Sequence, residues 1–218
     1  EGIGPGKCSM AMDSNDRPFI AGYDPDTNGL KCARWTGSAW EVTPIDVLDI
    51  VVTNTDVAMD PKGHPWIVYS VTVPDPGGNR YYIKAATYSG TAWSMSIVAD
   101  MGLYIGGYPV SIALDLQDRP HVAYYDPSQP GLMHARWAGA TWERTRVLDR
   151  MVPRYDIAID AGGVPRMAAR DYTNDKLLYL WPDGATWKSE TVDTGTDVGY
   201  HLSMAIDNAG RPCVAYSL

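Results

Sequence analysis

The chain has 218 residues, of which 45% are hydrophobic and 20% charged, a composition typical of globular proteins. Its net charge of -8 and isoelectric point near 4.8 argue against a basic surface that displaces counterions from a phosphate backbone, so we expect no nucleic-acid partner. The sequence has no apolar run long enough to cross a bilayer and no signal peptide, so we expect no membrane insertion, and any export signal was removed or lies outside this sequence.

A short motif recurs five times along the chain. A proline follows each closing aspartate of the motif by five residues, and a Gly-x-x-Trp turn follows each of the first four prolines. The closing aspartates lie 47, 55, 45 and 47 residues apart. A period of about 40 to 50 residues built from short strands is typical of a solenoid or a propeller. The copies of the motif are Ser9–Asp13, Asp56–Asp60, Ser111–Asp115, Asp156–Asp160 and Ser203–Asp207.

The first repeat predicts four strands joined by turns. Aspartate favours the turns because its short side chain can bond to backbone two residues on, and proline suits the first residue of a strand. The first two strands are almost continuously apolar, as expected for a sheet covered on both faces, whereas the fourth is polar and is expected to face solvent. The predicted strands are Ser9–Asp13, Phe19–Tyr23, Leu30–Trp35 and a strand that begins at Trp40.

Four-stranded antiparallel units with an apolar first strand and a polar last strand are typical of the blades of a β-propeller. We therefore predict an all-β fold, a β-propeller in a single domain over residues 1–218. The blades are expected at about residues 9–54, 55–109, 110–154 and 155–200, with a partial blade at 201–218. Because the last blade lacks two outer strands, the alternatives are a five-bladed ring with an incomplete last blade and a piece of a longer array.

Connection lengths distinguish the two faces of such a propeller. The turn between the first and second strands and the Gly-x-x-Trp turn keep their lengths and share one face. The connections that differ in length among the repeats lie on the other face, chiefly in Val71–Arg80 and Met101–Tyr108. Since functional residues concentrate in variable loops, we expect a ligand site on this variable face, with neutral drift of the loops as the alternative.

The first residue of each predicted inner strand is polar and is expected at the mouth of the central channel on the variable face. Small polar groups around an axis can bind a cation or a sugar hydroxyl, and they can equally bond to ordered water and backbone. These residues are Ser9, Asp56, Ser111, Asp156 and Ser203.

The loop Asp24–Gly29 matches the opening of a calcium-binding loop, with Asp24, Asp26 and Asn28 as candidate ligands. Calcium requires about six to eight oxygens, and the twelfth position, which supplies a bidentate glutamate in an EF-hand, is Trp35 here. An Asx-type turn is therefore favoured over a calcium site. We expect no other metal and no cofactor.

Tyrosines and carboxylates accompany the predicted variable loops. An aromatic ring can stack on a sugar face while a carboxylate accepts bonds from its hydroxyls; filling the space between blades is the alternative role for the rings. The tryptophans of the Gly-x-x-Trp turns repeat with the fold and are expected to pack in the core or between blades. The candidate ligand residues of the variable face are Tyr23, Asp24, Tyr125, Asp126, Arg170, Asp171 and His201.

The sequence assigns no catalytic residue. His201 follows Tyr200 before an inner strand, and a His–Tyr pair can act as base and acid in a polysaccharide lyase. A glycosidase requires paired carboxylates, and three of the four glutamates lie on predicted outer strands, which leaves Asp56 and Asp156 as a conceivable pair.

The three cysteines, Cys8, Cys32 and Cys213, do not have the spacing of a metal site. An odd number leaves at least one thiol free unless it pairs between chains. Cys8 and Cys213 would be neighbours in a closed ring, so a disulfide between them is one possibility, and buried apolar thiols are the other.

The consensus S-x-A-x-D-x-x-G-x-P-x-V-A-Y-Y-D, followed by L-x-x-A-x-W-x-G-x-x-W, resembles the repeats of large secreted prokaryotic β-propeller proteins. Residues 9–40 and 111–142 match it best. The resemblance implies a propeller in an extracellular setting and carries over no functional residues.

The Gly-x-x-Trp turns distantly resemble the BNR or Asp-box repeat of sialidases, S-x-D-x-G-x-x-W. The turn Thr36–Trp40 lacks the aspartate, and Asp183–Trp187 has it out of register. A sialidase also needs an arginine cluster for the substrate carboxylate, and only Arg154 and Arg170 fall near the variable face. We therefore infer no sialidase activity from this resemblance.

Together these patterns favour a non-catalytic, secreted binding module whose partner on the variable face is a glycan or a protein. Two alternatives stay open. One is a propeller enzyme, a lyase or a glycosidase, that acts on polysaccharide. The other is a fragment of a longer array that self-associates through its open last blade, because an unpaired strand edge invites pairing. The sequence identifies neither the ligand nor the oligomeric state.

Overall fold

The structure is a computed structural model that describes residues 8–47, 50–103 and 107–217. Within these ranges all regular structure is β-strand. None of the described segments forms a helix long and apolar enough to cross a membrane. The chain divides into two compact units, residues 1–110 and 111–218, which are described in turn. A single domain over the whole chain stays a prediction.

The first unit contains two four-stranded antiparallel sheets whose strands lie in chain order. The strands predicted for the first repeat are confirmed to within one residue. Sheet one comprises β1 (Ser9–Met12), β2 (Pro18–Asp24), β3 (Gly29–Trp35) and β4 (Trp40–Asp46). Sheet two comprises β5 (Val51–Met59), β6 (Pro65–Asp75), β7 (Gly78–Tyr88) and β8 (Trp93–Asp100).

The extra length of the second repeat lies in strands, so the prediction of a variable loop over Val71–Arg80 is wrong. β6 and β7 each have 11 residues and pair from Trp66↔Thr87 to Asp75↔Gly78, leaving a two-residue connection. Of the other predicted variable segment, residues 104–106 lie outside the described residues. The blade boundary expected after residue 54 falls within β5.

The second unit contains two further four-stranded sheets and a two-stranded one. The short sheet corresponds to the partial blade predicted at 201–218. Sheet three comprises β9 (Val110–Leu114), β10 (Pro120–Asp126), β11 (Gly131–Trp137) and β12 (Trp142–Leu148). Sheet four comprises β13 (Tyr155–Ile159), β14 (Pro165–Asp171), β15 (Lys176–Asp183) and β16 (Thr186–Thr194), and sheet five β17 (Leu202–Ile206) and β18 (Pro212–Tyr216).

The recurring aspartate closes the same turn in all five repeats. Asp13 Oδ1 accepts the backbone N–H groups of Asn15 (2.8 Å) and Arg17 (3.0 Å). The equivalent aspartates accept the same two backbone donors. A turn carboxylate that satisfies two backbone donors explains why this position does not vary among the repeats.

The Gly-x-x-Trp turn requires glycine because its first residue has a positive φ, 103° at Gly37 and 93° at Gly139. Its tryptophan does not have one environment. Trp93 lies 6.4 Å, between ring centroids, from Phe19 of the preceding sheet, as expected for packing between blades. Trp40 is 47% exposed, so the prediction of a packed tryptophan is wrong at this position.

The core of each unit lies between its sheets. The outer strands β4, β12 and β16 are mostly exposed, as predicted, and half of the residues of β8 are exposed. In the first unit, the buried Asp46 carboxylate accepts a hydrogen bond from Tyr69 Oη (2.7 Å) and pairs with Lys84 Nζ (3.0 Å). The largest buried apolar side chains include Leu30, Ile67 and Ile83 in the first unit and Leu132, Met167, Leu177 and Leu180 in the second.

All three cysteines are free thiols. The interpretation as a buried apolar side chain applies to Cys32, which lies in the core of the first unit. It is wrong for Cys8 and Cys213, which are exposed.

Candidate functional site

In the second unit, the predicted channel residues form a hydrogen-bonded cluster around Asp156. Its Oδ1 accepts from Ser111 Oγ (2.6 Å), and its Oδ2 accepts from the backbone N–H of Met204 (2.7 Å) and from Ser203 Oγ (3.3 Å). The carboxylate also accepts the N–H of Ile157 (2.9 Å). Asp156 therefore links the inner strands β9, β13 and β17, which accounts for its polarity without a ligand.

In the first unit, Ser9 Oγ donates to Thr55 Oγ1 (3.2 Å), and Asp56 Oδ1 accepts the N–H of Val57 (2.9 Å). The prediction that these polar residues begin their strands is confirmed for Ser9 alone. Ser111, Asp156 and Ser203 are second in their strands, and Asp56 is the sixth residue of β5.

The candidate carboxylates at the ends of the second strands hold their own loops. Asp126 accepts bonds from Ser128 N (2.8 Å) and Ser128 Oγ (2.6 Å). Asp171 is buried and accepts from Arg150 Nη1 (2.9 Å) and Asn174 Nδ2 (2.8 Å). Although burial alone would raise its pKa, the Asn174 and Arg150 bonds outweigh it and the pKa of Asp171 is lowered.

The oxygens proposed as calcium ligands face hydrogen-bond donors. Asp24 Oδ1 accepts the N–H of Asp26 (3.2 Å), which is the expected Asx turn, and also pairs with the buried Lys31 Nζ (3.0 Å). Its Oδ2 accepts from Thr27 Oγ1 (2.7 Å), and this bond together with Lys31 lowers the pKa of Asp24 against the effect of burial. The described residues contain no group of three or more His, Cys, Asp or Glu side chains suited to a metal.

The two candidate tyrosines are also engaged within the fold. Tyr23 Oη donates to Asn28 Oδ1 (2.8 Å), so Asn28 too is committed to the loop. Tyr125 is buried, and its backbone N–H donates to Tyr155 Oη (2.9 Å).

Arg170, in contrast, lies in an open pocket of the second unit. The pocket has a volume of about 190 Å³ and is lined by Met151, Pro153, Arg154, Arg170, Tyr172 and Tyr200. These residues come from the segment before β13, the end of β14 and the residue pair before β17, which is the end of the sheets that the sequence analysis assigned to the variable face. We call it the arginine–tyrosine pocket.

The Arg170 side chain is 3% exposed, whereas Tyr172 and Tyr200 are 58% and 51% exposed. The Arg170 guanidinium carbon lies 5.3 Å from the ring centroid of Tyr172 and 5.7 Å from that of Tyr200, within the range of cation–π contacts. Arg154 approaches the Tyr200 ring as well, at 5.5 Å. Two exposed aromatic rings thus flank a buried cation.

The buried guanidinium is incompletely bonded. Arg170 Nη2 donates to Asp197 Oδ1 at 3.3 Å, and Asp175 Oδ1 lies 3.9 Å away; both carboxylates are more than half exposed. Arg170 Nε is buried and has no hydrogen-bond partner within the part of the chain that the structure describes. Such a buried donor is costly to leave unsatisfied.

His201 lies beside the pocket, with its ring 5.0 Å from Tyr200 in an edge-on contact. The structure therefore brings together two predicted site residues, Arg170 and His201. It also adds Tyr172 and Arg154, which were not predicted as ligand residues. Their only sequence signal is position, since each lies within two residues of a strand end on the predicted variable face.

No family model and no curated protein matches this sequence. Among solved structures, the chain is similar to the Hadza microbial sialidase Hz136, with 12% identity over 96% of this chain and 52% of that chain and a TM-score of 0.60. It is also similar to the SapL1 lectin in complex with alpha methyl fucoside, with 15% identity, 86% and 66% coverage and a TM-score of 0.55.

A third similar structure is an ulvan lyase, from a new polysaccharide lyase family, bound to -[GlcA(1-4)Rha3S]-; it has 13% identity, 90% and 57% coverage and a TM-score of 0.58. At these identities the similarity shows the fold alone. The fold is a β-propeller. This chain spans between about half and two thirds of the length of these three proteins, which comprise a carbohydrate binder and two carbohydrate-active enzymes.

Proposed function

We propose that this β-propeller is a non-catalytic, extracellular carbohydrate-binding module, and that the arginine–tyrosine pocket on its variable face holds the sugar. The observation that carries the proposal is the buried Arg170 between the exposed rings of Tyr172 and Tyr200. An exposed tyrosine offers an apolar surface to the C–H face of a sugar, and an arginine offers several donors to its oxygens. The lectin among the similar folds and the resemblance to secreted repeat proteins also support it.

The carboxylates predicted as site residues do not supply the pair that a glycosidase needs. Asp126 accepts bonds from its own loop, Asp171 accepts from Asn174 of its loop and from Arg150, and Asp156 is bonded to four donors. A glycosidase needs one carboxyl group free to donate a proton and a second one free to attack or to activate water. These three carboxylates are instead occupied in holding strands and loops.

The test is a glycan array probed with the intact protein, followed by titration of the bound glycan. We expect Tyr172→Ala and Tyr200→Ala each to weaken binding at least tenfold, equivalent to about 1.4 kcal/mol, while the Phe variants retain most of it. Leu116→Ala is the matched control, because Leu116 is 65% exposed in the same unit and does not line the pocket. The proposal is contradicted if no glycan on the array binds, or if all variants bind equally. Capture of a protein partner by the same pocket would favour the protein-binding alternative.

The second candidate function is a polysaccharide lyase, and the Tyr200–His201 contact at the pocket favours it. An elimination needs a base and an acid close to one sugar residue, which these two side chains can supply. The measurement is the ultraviolet absorbance of unsaturated products from a panel of uronic-acid polysaccharides. Turnover that disappears in His201→Ala supports the lyase, and no turnover on the panel removes it.

A further inference from the structure

Two clefts of nearly equal size occupy equivalent places in the two units. Cleft one has a volume of about 300 Å³ and lies between sheets one and two; cleft two, of about 280 Å³, lies between sheets three and four. Each cleft is formed by the outer strands of one sheet and the Gly-x-x-Trp turn of the next sheet. Their equivalent lining residues are Arg34 and Arg136, Glu41 and Glu143, and Trp93 and Trp187.

The charged pair in these clefts is not a requirement of the fold. Residues 33–43 and 135–145 share the pattern Ala-Arg-Trp-x-Gly-x-x-Trp-Glu-x-Thr. The second repeat keeps the turn but has Thr87 and Ser94 at the arginine and glutamate positions, and the fourth has Trp181 and Lys188. Four repeats build the same turn and only the first and third carry the arginine and the glutamate, so the turn forms without them.

Strand register places the charged side chains side by side. Arg34 is directly opposite Phe19 on β2 and Glu41 on β4, and Arg136 is opposite His121 and Glu143 in the same way. Directly opposite residues share one face of the sheet. In cleft two, Arg136 Nη2 donates to Glu143 Oε2 at 2.5 Å, and both side chains are partly exposed.

The aromatic wall comes from the next sheet in both clefts. The Trp93 ring lies 6.4 Å from Phe19 in cleft one, and the Trp187 ring lies 5.4 Å from His134 in cleft two. A threonine hydroxyl completes each polar side, Thr43 in one cleft and Thr145 in the other. The buried lining residues of the two clefts differ, but the exposed groups that line them are of the same types.

We infer that each cleft binds one neutral sugar residue, so that this chain is bivalent. Arginine supplies hydrogen-bond donors, glutamate acceptors and threonine both, which suits adjacent hydroxyl groups. The indole provides an apolar wall for the C–H face of a pyranose, and the volumes lie at the lower end of the roughly 300–1,000 Å³ typical of small-molecule pockets. In cleft two the Arg136–Glu143 ion pair leaves this side without net charge, so we expect a neutral sugar to bind better than an anionic one; cleft one carries the same two residue types. This inference adds a second kind of site to the proposed carbohydrate binding.

The experiment follows the tryptophan indole N–H signals of the intact chain by two-dimensional NMR, with Trp93 and Trp187 assigned through Phe variants. The probes are the methyl glycosides of galactose, mannose, fucose and glucose, and methyl glucuronide is the anionic comparison. We expect at least one neutral glycoside to shift both signals, and methyl glucuronide to bind at least tenfold more weakly. The double variant Arg34→Thr/Glu41→Ser should lose the Trp93 response alone, and Arg136→Thr/Glu143→Ser the Trp187 response alone.

These substitutions introduce the residues that the second repeat already carries, so the turn is retained, and unchanged thermal midpoints confirm the fold. Tyr172→Ala/Tyr200→Ala should leave both responses intact, which separates a failure of the arginine–tyrosine pocket from a failure of the clefts. The inference is overturned if none of the four neutral glycosides shifts either signal, if one double variant abolishes both responses, or if methyl glucuronide alone binds.

Discussion

The Nδ1 atom of His121 lies 2.9 Å from the Nε2 atom of His134, and both rings are buried in sheet three. His121 Nε2 lies 3.4 Å from Asp115 Oδ2, and His134 Nδ1 lies 3.4 Å from Thr145 Oγ1. Burial lowers the pKa of His121 in spite of Asp115. Burial, and then the charge that His121 and Arg136 would add, lowers the pKa of His134 to about 3. Both rings are therefore neutral at neutral pH.

This pair predicts a loss of stability in mild acid. A histidine has a pKa of 6.5 when unperturbed, so below that pH the unfolded chain takes up protons that the folded chain does not. The free energy of unfolding is then greatest above pH 6.5 and decreases as the pH is lowered. At pH 5 the decrease that is due to His134 is about 2 kcal/mol. The double variant His121→Phe/His134→Cys, which copies Phe19 and Cys32 of the first repeat, should remove most of this fall.

Urea unfolding at pH 7 and pH 5 measures the effect. His201→Ala is the control, because His201 is exposed and is not part of the buried pair. Equal losses of stability in the wild type and the double variant would contradict the prediction.

Substitution of a turn aspartate should lower the free energy of unfolding more than substitution of an exposed aspartate. Asp160 Oδ1 accepts the N–H groups of Gly162 and Val164, both at 2.9 Å, and Oδ2 pairs with Arg166 at 2.7 Å. Asp160→Ala leaves these donors without their acceptor and should cost about 1–2 kcal/mol in urea unfolding. Asp149→Ala is the control and should cost less than about 0.5 kcal/mol, because the Asp149 side chain is 77% exposed. Similar midpoints for the two variants would refute the structural role of the turn carboxylate.

Asp156 tests whether a polar inner-strand residue is structural. Asp156→Ala removes the acceptor of Ser111 Oγ and of the Met204 N–H, and should lower the free energy of unfolding by roughly 2–3 kcal/mol. Ser203→Ala removes one 3.3 Å bond and should cost about 0.5 kcal/mol. The measurement is urea unfolding together with glycan titration. Lost binding without lost stability would instead make Asp156 a ligand residue, as the sequence analysis predicted.

Much of the fold could be predicted from the repeat, because the turns carry their own chemistry. The aspartate that accepts two backbone donors and the glycine at positive φ fix where the strands of each repeat begin and end. The start of β5 at Val51 and the long β6–β7 hairpin could not be predicted in this way. Their pairing depends on neighbouring strands rather than on a local turn signal.

The sites were harder to predict, since they depend on contacts distant in sequence. Tyr172 and Tyr200 are 28 positions apart in the sequence, and both rings lie against Arg170. The clefts could not be predicted for a different reason, because the constant length of the Gly-x-x-Trp turn is typical of scaffold rather than of a site. Arg34 and Glu41 could have been found by comparing the repeats with one another, since they differ from Thr87 and Ser94 within an otherwise constant turn.

The thiols give a prediction that separates the environments of the three cysteines. Burial raises the pKa of Cys32 to about 11, so only about 0.1% of it is thiolate at pH 8. Iodoacetamide should therefore alkylate the exposed Cys8 and Cys213 in the folded protein, and Cys32 only after unfolding in urea, with the adducts counted by intact mass. Cys32→Ala is the control and should show the same two fast adducts with none added in urea. Three fast adducts would contradict the burial of Cys32, and no fast adduct would contradict the exposed free thiols of Cys8 and Cys213.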